Sequence, residues 1–159
     1  MIRVIGCGNL EAGDDAAGLV AVGEARERLA DAADVEVTLA GTGARVLDLI
    51  EQARGVVLVD AVRTPGGTRT PGTLVRAEVS PEGLPAEVSA SLSSHGLGLA
   101  EVIGINAALG SPAPVIFLGV EASDATLGHP LSPEVAAAIP ELVDRVVGEA
   151  MRLARAEAP

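Results

Sequence analysis

Val56-Val57-Leu58-Val59 is an unbroken run of β-branched and leucine side chains, closed at once by Asp60. A strand so uniformly apolar has no face to offer water. It must be covered on both sides, as in a parallel sheet sandwiched between helices. The preceding chain supplies such helices. Ile2 to Cys7 is a short apolar run closing on Gly8, and from Asp14 to about Ala30 a helical stripe runs through Leu19, Val20, Val22, Ala25 and Leu29. Val35 to Leu39 alternates apolar and polar residues as a second strand, and Gly41-Thr42-Gly43 opens a second helix carrying Val46, Leu47, Leu49 and Ile50, which Gly55 ends. Strands alternating with helices across short glycine turns imply right-handed crossovers. They predict a three-layer α/β/α fold with a mostly parallel twisted sheet.

Beyond Asp60, Arg63-Thr64-Pro65-Gly66-Gly67-Thr68-Arg69-Thr70-Pro71-Gly72 is turn chemistry throughout. Thr73 to Val79 then returns as an added antiparallel strand. Residues 80 to 94 read as a long Pro/Ser-rich connection, succeeded by a helix from about His95 to Leu109 and a strand from Val115 to Val120. Ser132-Pro133 is a helix N-cap with proline at the first helical position, while Pro140 is expected to break or kink the helix started there. The main terminal helix is accordingly expected over Pro140 to about Arg155, with Leu142, Val143, Val146, Ala150 and Leu153 facing the sheet. With no internal repeat or linker, residues 1–159 read as a single domain, which suits a chain of 159 residues.

Composition narrows the function. Phe117 is the one aromatic residue, so the core must be packed from small aliphatic side chains. A formal net charge of -11 repels phosphate backbones and anionic headgroups, which argues against nucleic acid and membrane-surface partners. The uncharged stretch from Val102 to Val120 is interrupted by Gly110-Ser111-Pro112-Ala113-Pro114, so it reads as helix, turn and strand rather than a membrane span. Cys7 stands alone, which excludes an internal disulfide and a cysteine-rich zinc site. A cytoplasmic location is expected.

Gly6-Cys7-Gly8 after the first strand invites a dinucleotide reading, but the third glycine of that fingerprint falls at Glu11 and no acid ends the second strand. Gly8 to Gly13 has P-loop spacing, yet Asp14 and Asp15 stand where lysine and a hydroxyl residue belong. Such a loop attracts cations. Acids at a helix start are also favoured by the dipole, and Asp14 is assigned to that role. Asp60 comes directly after buried residues, which is costly for an acid unless it is paired or at an exposed strand end. Asp15, Asp60 and His95 are the candidate catalytic and metal-holding residues, since two carboxylates and an imidazole at strand ends suit a borderline divalent cation or hydrolytic proton transfer; taken alone, Asp15 also fits a helix-dipole acid and His95 a helix-start residue. Cys7 reads as a small buried hydrophobe, His129 as a non-catalytic loop residue, and Arg63 as an exposed cation that could meet a carboxylate of a partner.

Gly6-Cys7-Gly8-Asn9, Asp14-Asp15 with Gly18, Val59-Asp60-Ala61 and Ser94-His95-Gly96-Leu97-Gly98-Leu99, in this order and spacing, resemble the signature segments of the hydrogenase maturation endopeptidases. The resemblance runs from Ile2 to about Arg155 and includes Gly41-Thr42-Gly43 and Leu131-Ser132-Pro133. Glu11, Ala16-Ala17 and Ala122 depart from the family pattern without removing a ligand. The resemblance implies removal of a C-terminal extension from the large-subunit precursor of a nickel-iron hydrogenase after nickel insertion, with Asp15, Asp60 and His95 recognising nickel supplied by that precursor. No organic cofactor is implied. Two other readings fit the same residues: a non-catalytic maturation factor that binds the metal or precursor, and an unrelated small α/β hydrolase that needs no nickel.

Overall fold

A computed structural model of the chain describes residues 1–41, 43–80, 82–90, 92, 99–110 and 113–156. Strands β1 (Ile2–Cys7), β2 (Val35–Gly41), β3 (Gly55–Val62), β4 (Leu74–Glu78) and β5 (Val115–Glu121) form a sheet in the order β2-β1-β3-β5-β4. All neighbours run parallel except β4, which lies antiparallel against β5. Helices α1 (Ala17–Arg28) and α5 (Pro133–Arg155) pack together on one face, and α2 (Gly43–Glu51) packs with α4 (Leu99–Ala108). This is the mostly parallel α/β/α architecture with one antiparallel strand that the sequence predicts.

The apolar run of β3 explains itself in this setting. Side chains alternate across a strand, so Val57 and Val59 enter the core under α1 and α5, while Val56 and Leu58 enter the core with Val46, Ile50, Val102 and Phe117 on the other face. All four are fully buried.

Two boundaries differ from expectation. The helix expected from Asp14 begins as a 3-10 turn, Gly13–Ala16, and becomes α-helical at Ala17. At the other end of the chain, Pro140 does not break the terminal helix, which runs unbroken from Pro133 to Arg155. A proline inside a helix costs about 3 kcal/mol. Val135 and Ile139 before it and Leu142, Val143 and Val146 after it are all buried in one continuous stripe, and burying each such side chain contributes about 1.5–3 kcal/mol. Pro140 itself faces solvent, as does Ala136, whose carbonyl loses its partner to the proline. The packing therefore outweighs the break. Within the connection read as a loop, Ala86–Ser89 forms a single helical turn, α3.

Candidate functional site

The chain order places β2 on one side of β1 and β3 on the other, so the direction of winding reverses between β1 and β3. Beyond the carboxyl ends of such a pair lies the crevice in which open α/β sheets bind ligands. Asp15 comes after β1, and Asp60 lies on β3. The pairing of β1 with β3 ends at Gly6 and Val59, whereas β3 stays paired with β5 as far as Val62 and Glu121. Asp60 is therefore not at the end of its strand, as the sequence suggests. Instead β3 outruns β1, and the half-buried acid sits on the step just past their last paired residues. Its Oδ1 accepts the Ala61 N–H at 2.8 Å.

Gly8 closes β1 and links the two acids. Its φ of 120° lies in the region that disfavours a side chain, and a Cβ there would lie 1.9 Å from the Asp15 carbonyl oxygen and 3.6 Å from Asp60 Oδ1. The Asn9 N–H donates to that same Asp15 carbonyl at 3.2 Å. Gly18 completes the approach. A Cβ on it would stand 2.4 Å from the Val59 carbonyl and 2.7 Å from that of Cys7, so α1 starts directly on the ends of β1 and β3. This is the close-approach role that the failed dinucleotide fingerprint left without an owner.

Asp14 and Asp60 show two opposite electrostatic settings. Burial alone pushes the Asp14 carboxyl up, but N–H groups of Asp124, Ser132 and Ser123 and the Ser132 hydroxyl outweigh it and hold the group below its usual value. Oδ2 accepts from Ser123 N at 2.7 Å, Asp124 N at 2.9 Å and Ser132 Oγ at 2.9 Å, and Oδ1 accepts from Ser132 N at 2.6 Å. The Asp14 N–H also donates to the Asp124 carbonyl at 2.7 Å. Asp14 is thus more than a dipole-favoured helix acid. It ties the loop after β5 and the N-cap of α5 to the turn that carries Asp15.

Asp60 has the reverse balance. Burial, and then the negative charge of Asp15, push its carboxyl up to about 8 against the pull of the Ala61 N–H. At neutral pH this carboxyl holds its proton, and a cation brought beside it would favour its release. Burial, together with the charges of Asp60 and Asp15, likewise pushes the Cys7 thiol well above its ordinary value. Cys7 is buried and free, and such a thiol stays protonated, as expected for a packing residue rather than a nucleophile.

A cleft of about 650 Å³ opens at this edge, lined by Asp15, Asn9, Ala61, Arg63, Ser123 and Asp124 among others. Asp60 is half-buried, next in the chain to the lining residue Ala61. His129 lies at the surface with Nδ1 2.6 Å from Asp124 Oδ2, a contact that, with the Thr126 hydroxyl and N–H, holds the Asp124 carboxyl well below the usual range. Of the three residues singled out in the sequence, the fold brings Asp15 and Asp60 together around Gly8, and His95 lies outside the described residues. Among the described residues no group of three or more His, Cys, Asp or Glu side chains is gathered that could hold a metal ion.

The sequence reading missed two features at this edge. Asp124 and Ser123 form a wall of the cleft, and Glu121, buried at the end of β5, accepts from the Thr64 N–H and hydroxyl at 2.8 Å each. A buried glutamate closing an apolar strand is the same signal that singled out Asp60. It marks the same edge of the sheet, one strand further over.

No curated protein matches the chain by sequence. Among solved structures, the hydrogenase maturating endopeptidase HybD from E. coli is 28% identical, with a TM-score of 0.75 over 95% of this chain and 92% of its own. An endopeptidase from E. coli solved in solution is also 28% identical, with a TM-score of 0.76 over 98% and 94%. The [NiFe] hydrogenase maturation protease HycI from Thermococcus kodakarensis shares the fold, at 22% identity and a TM-score of 0.71 over 92% of both chains. The family model of the hydrogenase maturation proteases matches residues 20–149, which is most of the chain, and to that family this chain belongs.

Proposed function

We propose that this chain is an endopeptidase that cuts a C-terminal extension from the large-subunit precursor of a nickel-iron hydrogenase once nickel has been inserted, and that it recognises the nickel carried by that precursor. Asp15, Asp60 and His95 are the residues assigned to the metal. The observation that carries this reading is the strained pair at the β1/β3 step. Burial and the neighbouring charge of Asp15 keep Asp60 protonated beside the crevice, and among the described residues Asp60 accepts from the Ala61 N–H where four donors satisfy Asp14. A divalent cation entering between them offsets the Asp15 charge and drives the Asp60 proton off, so both carboxylates are ionised when the metal is there. His95 is assigned on the family resemblance.

Hydrolysis requires water to add to the scissile carbonyl and the C–N bond to break, the water's oxygen staying on the new carboxylate, one of its protons passing to the leaving amine and the other to solvent. A cation polarises the carbonyl, and a carboxylate beside it can take the proton from water. The long-range negative field of the chain favours approach of a cationic centre. The test is incubation of the purified chain with nickel-loaded and nickel-free precursor. Shortening of the loaded form alone supports the reading. An unchanged loaded precursor supports a binding factor instead, and equal cleavage of both forms supports a hydrolase that does not read nickel.

A further inference from the structure

The cleft does not end at Arg63. A second groove of about 630 Å³ continues from it, sharing Arg63, Ala122 and Ser123 and adding Thr64, Arg69, Leu92 and Glu121. Its charge runs against that of the neighbouring acid-lined cleft. Acids outnumber bases two to one in the chain, with 22 against 11, yet around this groove two guanidinium groups face one carboxylate. Arg69 is anchored: Nη1 donates to Thr64 Oγ1 at 3.0 Å and lies 3.9 Å from Glu121 Oε2, while Glu121 is itself held by the Thr64 N–H and hydroxyl. Arg63 is exposed at the border of the two grooves, Nη2 donates to the neutral Ser123 carbonyl at 3.3 Å, and no carboxylate among the described residues forms an ion pair with it.

We propose that Arg63 and Arg69 form a carboxylate-binding subsite that holds an acidic group of the substrate polypeptide next to the acid-lined cleft. The inference rests on the peptidase reading for its choice of ligand. A planar guanidinium fixed at one end by Thr64 and Glu121, with a second one at the border held by a backbone carbonyl, matches the two oxygens of a carboxylate. The arrangement also sorts charge along a bound chain: the cationic metal centre lies against Asp15 and Asp60, and the acidic group lies one groove further on. A polypeptide entered backwards would set its acid against Asp15 and Asp124 and its metal against Arg63, so the pair of grooves fixes the direction of binding.

The carboxylate comes either from an Asp or Glu side chain near the scissile bond or from the end of the extension, and binding measurements distinguish them. Fluorescently labelled, nickel-loaded precursor is titrated with the wild-type chain and with Arg63→Glu, an exposed substitution whose fold is checked by melting. The reversal is expected to weaken binding by about tenfold or more. If a side chain is the ligand, changing that one Asp or Glu of the precursor to Lys restores binding to Arg63→Glu and weakens binding to the wild type. If the terminus is the ligand, adding three glycines to the precursor's end weakens binding to the wild type and leaves Arg63→Glu unchanged. Equal affinity of the wild type and Arg63→Glu overturns the subsite, as does a loss that neither precursor series reproduces. Binding decides this without cleavage. A wild-type chain that binds the precursor but leaves it uncut sinks the peptidase reading and spares the subsite.

Discussion

Asp14 and Asp60 are both carboxylates withdrawn from water at the same edge of one sheet, and the fold treats them in opposite ways. Four donors from the loop after β5 and the start of α5 converge on Asp14, and its pKa falls. Asp60 accepts the N–H of its own neighbour, faces the charge of Asp15, and its pKa rises to about 8. An acid that the protein satisfies by itself is a structural part. Asp60, with the Ala61 N–H as its donor among the described residues and a like charge beside it, is the acid to which the proposed cation is assigned.

The sharpest way to break this contrast is to remove the satisfied acid. Asp14→Ala strands the N–H groups of Ser123, Asp124 and Ser132 and is expected to cost about 3–5 kcal/mol, lowering the melting temperature by roughly 10 °C. Urea denaturation measures the loss. Asp14→Asn keeps the shape but turns an amide toward one set of donors, so it too destabilises, by a smaller amount.

Next in size is Gly8→Ala. A Cβ 1.9 Å from the Asp15 carbonyl, at a φ of 120°, cannot be accommodated without moving the turn that links the two acids. A loss of about 2 kcal/mol or more is expected. Processing should fall with it, since Asp15 and Asp60 are displaced relative to one another.

The two acids also predict opposite pH dependences. Asp60 has a folded-state pKa above its unfolded value, so the stability linked to its proton is complete below about pH 4 and is lost as pH rises through about 8. Asp14 has a depressed folded-state pKa, so its contribution is present at neutral pH and is lost as pH falls through the acid range. Melting curves of metal-free Asp60→Asn should therefore match wild type near pH 4 and exceed it near pH 9, by about 2–4 °C for each kcal/mol of repulsion relieved. A constant offset between the two proteins at every pH would contradict the raised pKa. The smallest effect is expected from His129→Ala: the His129–Asp124 pair is exposed on both sides, and a thermal melt should barely register its loss.

The sheet was legible because its signals are local. The continuous run before Asp60, the glycine turns and the helical stripe of α1 each lie within one stretch of sequence, and a single physical rule reads each of them. What escaped was tertiary. The four donors on Asp14 come from residues more than a hundred positions away, so its neighbours in sequence suggest a helix-dipole acid and nothing more. Pro140 misled in the same manner, because its local cost is visible in sequence while the buried stripe that outweighs it forms only once α5 meets α1 and the sheet. Asp60 was found for a reason that needed correction: β3 runs on past it to Val62, and it stands beyond the β1 pairing because β1 ends sooner, a register that no single strand reveals. His95 was reached through the family resemblance and lies outside the described residues.

The central claim is that Asp60 is held ready for a cation carried by the substrate. It is tested most directly by incubating nickel-loaded hydrogenase precursor with wild-type chain and with Asp60→Asn, and tracking the length of the large subunit together with the melting curve of each enzyme. The account predicts a shortened subunit with wild type, an uncut one with Asp60→Asn, and a folded variant at least as stable as wild type near neutral pH. Cleavage by Asp60→Asn at the wild-type rate would contradict it.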